Sequence, residues 1–340
     1  MGNGVPLRIG ISGSYGGYNL GDEAILDGIL SQLRKSVSAE ITVFTRDAED
    51  TLNRHRVERA VEIRKLSREE ARQEVQRLDL LILGGGGILY DSDAEKYLRE
   101  VVLAQEAGVP VAVYAISAGP LEDPGVRATV ARVLNGVNLI TVRDRQGLHL
   151  LEEVGVEKKI HLTADPALLI EPAPLPVERL LADGVEMNDR PLVGFSVREP
   201  GPAAPHIETS HYYKLLAETA DFMIERLNVD IVFVPMEKTD IRHRHGVVSN
   251  MQCFDRAEVL RKGYSSHQIL SLIGRFEFCV GMRLHFLIFS ALQGVPFVAL
   301  PYSSKVMGFI QDLDMPMPPL ADVNSGRLIA SVDQAWDTRH

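Results

Sequence analysis

The sequence predicts an α/β protein of two Rossmann-like domains that face a cleft. The chain has 340 residues, more than a single hydrophobic core usually serves. Short apolar runs alternate with helix-sized segments in both halves, a pattern typical of parallel, doubly wound sheets. A proline-rich polar stretch within residues 170–191 separates the two halves, and such stretches are common in linkers.

The first half contains apolar runs at the spacing of strands separated by helices. Its predicted strands are Leu7–Ser12, Ile41–Phe44, Ala60–Ile63, Leu78–Leu83, Val109–Ile116 and Val137–Val142. Helical patterns follow at Asp22–Leu33 and at Ala94–Ala107, where Gly108 ends the second pattern. A further helix is expected to end near Gly155.

The second half shows the same alternation of predicted strands and helices. Its predicted strands are Leu192–Val197, Asp230–Val234, a run closing at Val280, and Phe297–Leu300; its predicted helices are Tyr212–Leu227, Ser266–Ile273 and Leu284–Leu292. We therefore predict domains at 1–175 and 190–322, with a C-terminal helix within 323–340. Two α/β domains of similar size resemble the GT-B architecture of glycosyltransferases, a likeness of fold that does not fix the reaction.

Composition excludes several classes of protein. The net charge of -10 argues against a nucleic-acid partner. Two cysteines, Cys253 and Cys279, are too few for a disulfide framework or a cysteine-based metal site. The chain has no apolar segment of membrane-spanning length, and its first residues do not resemble a signal peptide. We expect a cytoplasmic protein with at most peripheral membrane contact.

Some charged residues are expected to have structural roles only. His243 and His245 are two residues apart, so on a helix they point in different directions, which predicts a solvated face and no metal site. Arg143 and Asp144 are expected to cap the next helix or to form a local ion pair. Asp165 is expected to be a turn carboxylate near the junction of the domains.

Cations stand at the predicted starts of two helices. Arg283 and His285 lie in the first turn of one helix, where the partial positive charge of the helix dipole disfavours cations, so an anionic ligand is expected. Alternatively, Arg283 pairs with a carboxylate and His285 is a partly buried, hydrogen-bonded histidine. The segment Pro301–Lys305 repeats the arrangement after the next strand, which favours a site for a phosphorylated ligand.

Glycine-rich segments mark the first domain. The loop Gly13–Gly21 has neither the G-x-G-x-x-G spacing nor a Walker lysine, so neither nucleotide motif is present. Asp22 and Glu23 open the next helix, where they cap it or, equally, hold a sugar or activate its hydroxyl. Gly84–Gly87 follow a buried strand and are expected to line a pocket wall with backbone.

The combination of motifs resembles the polysaccharide pyruvyl transferase family, in particular its bacterial cell-wall branch. The residues that carry the resemblance are Tyr15–Leu26 (YGGYNLGDEAIL), Leu83–Leu89, Val142–Asp144, Ala164–Ala167, Gly194–Arg198, Gly281–His285 and Gly294–Pro296. These motifs extend over almost the whole chain. The segment Glu199–His211 matches no part of the family pattern.

The resemblance implies that phosphoenolpyruvate is the donor and that its pyruvyl group becomes a ketal on two sugar hydroxyls, with release of phosphate. The acceptor is a cell-surface polysaccharide or its lipid-linked precursor, and neither cofactor nor metal is expected. The resemblance assigns donor binding in the second domain to Arg283, Leu284 and His285. We add Arg198 as a second clamp, and Lys305 either binds phosphate or is solvated.

The proton-transfer and acceptor-side residues complete the expected site. His285 is the titratable group of the cation cluster whose ordinary pKa suits proton transfer, so we expect it to be catalytic. Asp22 is expected to act with it from the acceptor side in the first domain. Asn19, Glu23, Gly85 and Gly86 are expected to line the acceptor pocket.

Two other functions remain open at the level of sequence. A glycosyltransferase of the GT-B class would bind a nucleoside diphosphate in the second domain, whereas a pyruvyl transferase would be indifferent to nucleotides. A non-catalytic sugar-binding protein would retain the fold, but loss of Arg283 or His285 would then be expected, and both are present.

Overall fold

The structure, a computed structural model, describes residues 5–187, 189–199, 208–261, 263–315 and 323–339. It divides into two compact units, Met1–Ile170 and Glu171–His340. The proline-rich stretch between the predicted domains belongs to the second unit and contains a short helix, α7 (Val177–Ala182). Most of the unmatched segment Glu199–His211 lies outside the described residues.

The described part of the first unit contains a seven-stranded parallel sheet. The strands are β1 (Leu7–Ser12), β2 (Ala39–Phe44), β3 (Arg59–Val61), β4 (Leu80–Leu89), β5 (Val111–Ala118), β6 (Leu139–Val142) and β7 (Ile160–Leu162). The helices are α1 (Leu20–Ser36), α2 (Ala48–Arg54), α3 (Arg68–Gln76), α4 (Ala94–Ala107), α5 (Pro124–Asn135) and α6 (Arg145–Glu153). The strand order is β3-β2-β1-β4-β5-β6-β7, with every neighbouring pair parallel.

The second unit has five strands among its described residues, again all parallel. They are β8 (Leu192–Ser196), β9 (Asp230–Phe233), β10 (Ala257–Val259), β11 (Phe278–Gly281) and β12 (Phe297–Ala299), in the order β10-β9-β8-β11-β12. The helices that follow α7 are α8 (Thr209–Leu227), α9 (Asp240–Val248), α10 (Ser266–Ile273), α11 (Leu284–Leu292), α12 (Ser304–Asp312) and α13 (Ser325–Asp337). The two parallel sheets confirm the predicted α/β class.

Strand order reverses once in each sheet, and ligands of open α/β folds bind at the carboxyl ends of the strands at such points. In the first unit the reversal lies between β1 and β4, so the glycine-rich loop after β1 borders it. In the second unit it lies between β8 and β11, which are followed by Arg198 and Arg283. The motifs singled out from the sequence therefore lie at both reversal points.

The segment Gly84–Gly87 was expected to follow a strand but instead continues β4. A Cβ atom on Gly84 would lie 2.3 Å from the Tyr15 hydroxyl, and one on Gly85 would lie 2.5 Å from Cγ2 of Ile25. Glycine therefore lets α1 and the glycine-rich loop pack directly on the strand backbone. Within β4, only Leu80–Leu83 pair with β1, so among the described strands the glycine half of β4 pairs with β5 alone.

Short edge elements were missed by the sequence patterns. Strands β7 and β10 have three residues each and are partly polar or exposed, so they lack a buried apolar run. Helix α3 has mostly charged residues and buries only Ala71 and Val75. The predicted strand Ala60–Ile63 is shorter than expected, because a 3-10 turn begins at Ile63.

No helix in the described ranges is both long and apolar enough to cross a membrane.

Replacement of Gly84 by alanine should destabilise the protein by about 1–3 kcal/mol, because the new methyl group overlaps the buried Tyr15 side chain. The measurement is chemical denaturation. Gly326→Ala in α13 is the control, since its Cβ would meet nothing closer than 3.6 Å. Equal stability of Gly84→Ala and the parent protein would contradict the close packing of β4.

Candidate functional site

The candidate site of the second unit is built on the segments that follow β8, β11 and β12. Arg198 comes two residues after β8, Arg283 is the N-cap residue of α11, and Lys305 is the second residue of α12. The expected repetition of a strand, a loop and a cation at a helix start is confirmed for β12 and α12. The three cations follow strands β8, β11 and β12, which are neighbours in the sheet.

Arg283 forms ion pairs with two carboxylates. Its Nε atom donates to Oδ2 of Asp240 at 3.0 Å, its Nη2 atom contacts Oδ1 of Asp240, and Nη2 also lies 2.6 Å from Oε2 of Glu237. Burial opposes the charge, but Asp240 and Glu237 outweigh it and hold the pKa of Arg283 above its usual value. The structure therefore contains the ion pair of the alternative interpretation, in which Arg283 pairs with a carboxylate.

Asp240 organises the loop between β9 and α9 as well as Arg283. Its side chain is 1% exposed, and its Oδ2 atom accepts hydrogen bonds from the backbone N–H groups of Met236 and Glu237 at 3.1 and 3.0 Å. Glu237 is about one-third exposed, so it is the displaceable partner of Arg283. An anionic ligand can reach Arg283 by replacing Glu237, whereas Asp240 stays in place.

Tyr302 lies among the cations of this site, and sequence reasoning did not assign it a role. The Arg198 guanidinium lies 4.2 Å from the centre of its ring. Burial alone would raise the pKa of Tyr302, but Lys305, Arg198 and Arg283 together lower it below its usual value. Its place in Pro301–Lys305 was visible in the sequence, but two of the three cations, Arg198 and Arg283, come from distant segments.

His285 and Leu284 begin helix α11. Leu284 is buried, and His285 is partly buried in the first turn, as the sequence predicted. Of the residues predicted to bind the donor, Arg283, Leu284 and His285 are consecutive at the start of α11. Arg198 lies against Tyr302, which belongs to the same segment as Lys305.

His243 contradicts the expected solvated face of its helix. Its side chain is buried, and Nδ1 lies 2.7 Å from the hydroxyl of Tyr213. Burial lowers the pKa of His243. His245 is exposed, as expected, because it points away from the α8 contact. The described residues contain no group of three histidine, cysteine or carboxylate side chains arranged to hold a metal ion.

The first unit places Asp22 beside the glycine half of β4. A Cβ atom on Gly86 would lie 3.4 Å from Oδ1 of Asp22, so the two predicted pocket residues are neighbours. Capping of α1 is performed by Asn19, whose Oδ1 atom accepts from the N–H groups of Gly21 and Asp22 at 3.0 and 3.3 Å. The cap of α1 is therefore Asn19 and not Asp22, which corrects the capping alternative for Asp22, whereas the pocket-lining role of Asn19 stays a prediction.

Glu23 holds the glycine-rich loop and is not available to a sugar. The side chain is 2% exposed; Oε1 accepts from the N–H of Gly16 at 3.0 Å, and Oε2 lies 2.8 Å from Nε2 of His55. The other ring nitrogen of His55 lies 2.8 Å from Oδ1 of Asp27. The expected acceptor role of Glu23 is therefore wrong, because both of its oxygens are bonded inside the protein.

His55 was missed because its motif is not local: its partners are 28 and 32 residues earlier in the chain. Burial opposes protonation of His55, but Asp27 and Glu23 outweigh it and raise its pKa to about 9. The imidazolium thus joins α1 to the end of α2 and, through Glu23, fixes the loop at Gly16.

Further polar groups surround this loop. Nη2 of Arg46 donates to the hydroxyls of Ser14 and Tyr97 at 3.2 and 3.1 Å. The Ser12 hydroxyl donates to the buried Glu100 at 3.2 Å, and burial raises the pKa of that carboxyl to about 7. These groups lie on β1, on α4 and after β2, so no single sequence window contains them.

Arg143, Asp144 and Asp165 have structural roles as predicted, except that the ion pair of Arg143 with Asp165 joins residues 22 positions apart and is not local. Nη1 of Arg143 donates to Asp165 at 2.6 Å in a buried ion pair. Asp144 caps α6 by accepting from the N–H of Gly147 at 2.6 Å. Asp165 also accepts from the N–H of Ala167 at 2.9 Å, which makes it a turn carboxylate.

Comparison with known proteins gives a family match and relatives of the same fold. The family model described as "Polysaccharide pyruvyl transferase" matches residues 19–304. The amylovoran biosynthesis protein AmsJ of Erwinia amylovora is 24% identical over 278 residues, which cover 78% of this chain and 67% of that protein.

Solved structures with the same fold include enzymes that act on different substrates. UDP-GlcNAc 2-epimerase from Methanocaldococcus jannaschii superimposes with a TM-score of 0.64 at 15% identity, covering 96% of this chain and 91% of the other. ADP-heptose LPS heptosyltransferase II of E. coli has a TM-score of 0.54 at 14% identity, with coverage of 98% and 99%. These similarities show a GT-B-like fold and do not define a reaction.

The His55 network should make stability depend on pH in the alkaline range. Because the folded-state pKa of about 9 lies above the ordinary 6.5, the stabilisation is fully present below about pH 6.5 and is lost as the pH rises through 9. Its size is on the order of 3 kcal/mol. Urea unfolding of the parent and of His55→Gln between pH 6 and 10 measures it.

The stability difference between these two proteins should shrink as the pH rises. His149→Gln is the control, since His149 is exposed and 3.6 Å from Glu152. A difference that stays constant across this range would show that His55 is not protonated in the folded protein.

Proposed function

Because the chain belongs to the polysaccharide pyruvyl transferase family, we propose that it transfers a pyruvyl group from phosphoenolpyruvate to two hydroxyls of a sugar. The acceptor is a sugar of a polysaccharide or of its lipid-linked precursor. The similarity to a protein named for amylovoran biosynthesis supports a saccharide acceptor. Phosphoenolpyruvate is a co-substrate in this proposal, and neither cofactor nor metal is required.

The observation that carries the proposal is the cation cluster of the second unit. Arg198 and Lys305 surround the Tyr302 phenol next to the strand that leads to His285. A donor with a phosphate and a carboxylate needs several positive groups, and helix N-termini at α11 and α12 add N–H groups for the same anions. The cluster sits at the reversal point of the sheet, where α/β proteins bind such ligands.

The chemistry requires two proton transfers. Each of two sugar hydroxyls forms a bond to C2 of phosphoenolpyruvate and loses a proton, and the bond from C2 to the phosphate oxygen breaks. One proton ends on the methylene carbon, which becomes the methyl group, and the other leaves with the phosphate. His285 and Tyr302 are the two titratable groups proposed to move these protons.

Arg283 keeps the donor-binding role that the family resemblance implies, and Asp240 orients it for that role. In the proposed mechanism Asp240 holds its guanidinium at the start of α11, and the donor carboxylate or phosphate displaces Glu237. The ion pair with Asp240 then keeps Arg283 oriented while it contacts the donor. Arg198 and Lys305, whose charges no described carboxylate pairs with, bind the remaining anionic oxygens.

Asp22 is the proposed acceptor-side residue of the first unit. It is partly exposed and lies beside the buried Gly86, where a Cβ atom would be 3.4 Å from its Oδ1 atom. Its carboxylate would accept a hydrogen bond from an attacking hydroxyl and orient it. Glu23 and Asn19 support this position through the loop and the helix cap.

Phosphoenolpyruvate should raise the melting temperature in the presence of EDTA, since a ligand that binds only the folded state stabilises it. UDP and ADP at the same concentration should have no effect. Differential scanning calorimetry makes the measurement. Stabilisation by a nucleotide and not by phosphoenolpyruvate would favour a glycosyltransferase and reject the proposal, and strict dependence on magnesium would reject the metal-free site.

His285→Gln should lower turnover roughly a hundred- to ten-thousand-fold, because glutamine can hydrogen-bond but cannot transfer a proton at neutral pH. Donor affinity should fall much less. The assay is phosphate release from phosphoenolpyruvate with a panel of free and lipid-linked sugars.

Tyr302→Phe should lower turnover and also shift the alkaline limb of the pH–rate profile, since it removes the phenol whose pKa the neighbouring cations lower. The matched control is Tyr213→Phe, whose hydroxyl contacts His243. Near-normal turnover of Tyr302→Phe would leave Tyr302 as a support for Arg198 only.

A further inference from the structure

Arg244 is a buried cation with two unpaired donor atoms. It lies on α9 and is 3% exposed, and its Nε and Nη1 atoms have no hydrogen-bond partner among the residues that the structure describes. The buried arginines Arg143 and Arg283 each have a carboxylate oxygen at 2.6 Å. Native proteins rarely leave buried donors unpaired, so each such group calls for an explanation.

The nearby carboxylates are already used by other groups. The negative charges of Asp240 and Asp183 both raise the pKa of Arg244, but neither carboxylate forms an ion pair with it. Asp183 accepts from the N–H of Arg261 at 2.9 Å and from the hydroxyl of Tyr264 at 2.8 Å. Asp240 is held by Arg283 and by the loop before α9.

The guanidinium is charged at neutral pH although burial disfavours the charge. Burial lowers the pKa of Arg244 to about 10, and Asp240 and Asp183 counteract only part of this effect. A positive charge that is buried without an ion pair destabilises the unliganded protein. A ligand that brings oxyanions to it would complete its hydrogen bonds.

The position of Arg244 connects it to the cation cluster. Asp240 and Arg244 are four residues apart on one helix, so they occupy the same face and are one turn apart. Asp240 is the residue that holds Arg283 at the start of α11. Arg244 therefore lies one helical turn from the carboxylate around which the candidate site is built.

We propose that Arg244 is an anion-binding residue of the second unit, whose unpaired N–H groups receive oxygens of a phosphate or carboxylate group of the ligand. This inference rests on the proposed function for the identity of the ligand, phosphoenolpyruvate. The chemistry of the residue, an oxyanion held by a desolvated guanidinium, does not depend on it.

Arg244→Met tests the inference, because methionine fills a similar volume without charge. Calorimetric titration with phosphoenolpyruvate and, separately, with inorganic phosphate should show a dissociation constant at least tenfold higher than in the parent. The ligand-free variant should melt at the same temperature or a higher one, since the unpaired buried charge is gone. Arg242→Met, on the exposed face of the same helix, should bind both anions like the parent.

Unchanged anion affinity in Arg244→Met would overturn the inference, as would a large loss of ligand-free stability with binding retained. Arg244→Lys covers the case in which the methionine variant does not fold. Lysine keeps the charge but lacks the Nε donor of arginine. We expect this variant to bind both anions more weakly than the parent but more tightly than a site without the charge. Parental affinity for both anions would contradict the inference.

Failure of the proposed function has a separate signature. If the parent binds UDP and not phosphoenolpyruvate, and Arg244→Met weakens UDP binding, the anion site is supported and pyruvyl transfer is rejected. If the parent binds phosphoenolpyruvate and Arg244→Met binds it equally well, the anion site is rejected and pyruvyl transfer is unaffected.

Discussion

The contact between Asp240 and Arg283 is the interaction on which the second unit's site depends. It joins the loop after β9 to the segment after β11, two strands that are separated in the sheet by β8. The same carboxylate accepts two backbone N–H groups, so the loop and the guanidinium are fixed by one buried residue. A buried pair of this kind is weak evidence for stability, because desolvation offsets much of the attraction. Its role is best understood as orientation of the start of α11.

The first unit also contains a buried charged group that joins two segments, but there the central group is a cation and not a carboxylate. There a buried imidazolium is held between Glu23 and Asp27, and Glu23 in turn fixes the N–H of Gly16. In both units a buried charged side chain thus joins two segments that follow strands at the carboxyl edge of the sheet. This arrangement lets loops rich in glycine and polar residues hold a defined conformation next to a ligand site.

The sequence was sufficient for the fold class and for the placement of the motif residues after strands and at helix starts, but not for the partners of those residues. Buried strands such as β4 and β11 contain continuous apolar runs that are visible in the sequence, whereas β7 and β10 are short edge strands without such a run. The positions of Arg283 and Glu23 at helix starts followed from local patterns. Glu237, Asp240 and His55 could not be paired with them from the sequence, because these contacts join segments 28 to 46 residues apart.

The glycine half of β4 also has a consequence for the order of folding. Glycine loses more conformational freedom on folding than any other residue, and these four positions offer no side chain to bury in return. Leu80–Leu83 can pair with β1 and β5 and bury apolar side chains, so this half is able to form early. The glycine half pairs with β5 alone and is covered by Tyr15 and Ile25. We therefore expect it to become ordered only after α1 has docked, as one of the last parts of the sheet to form.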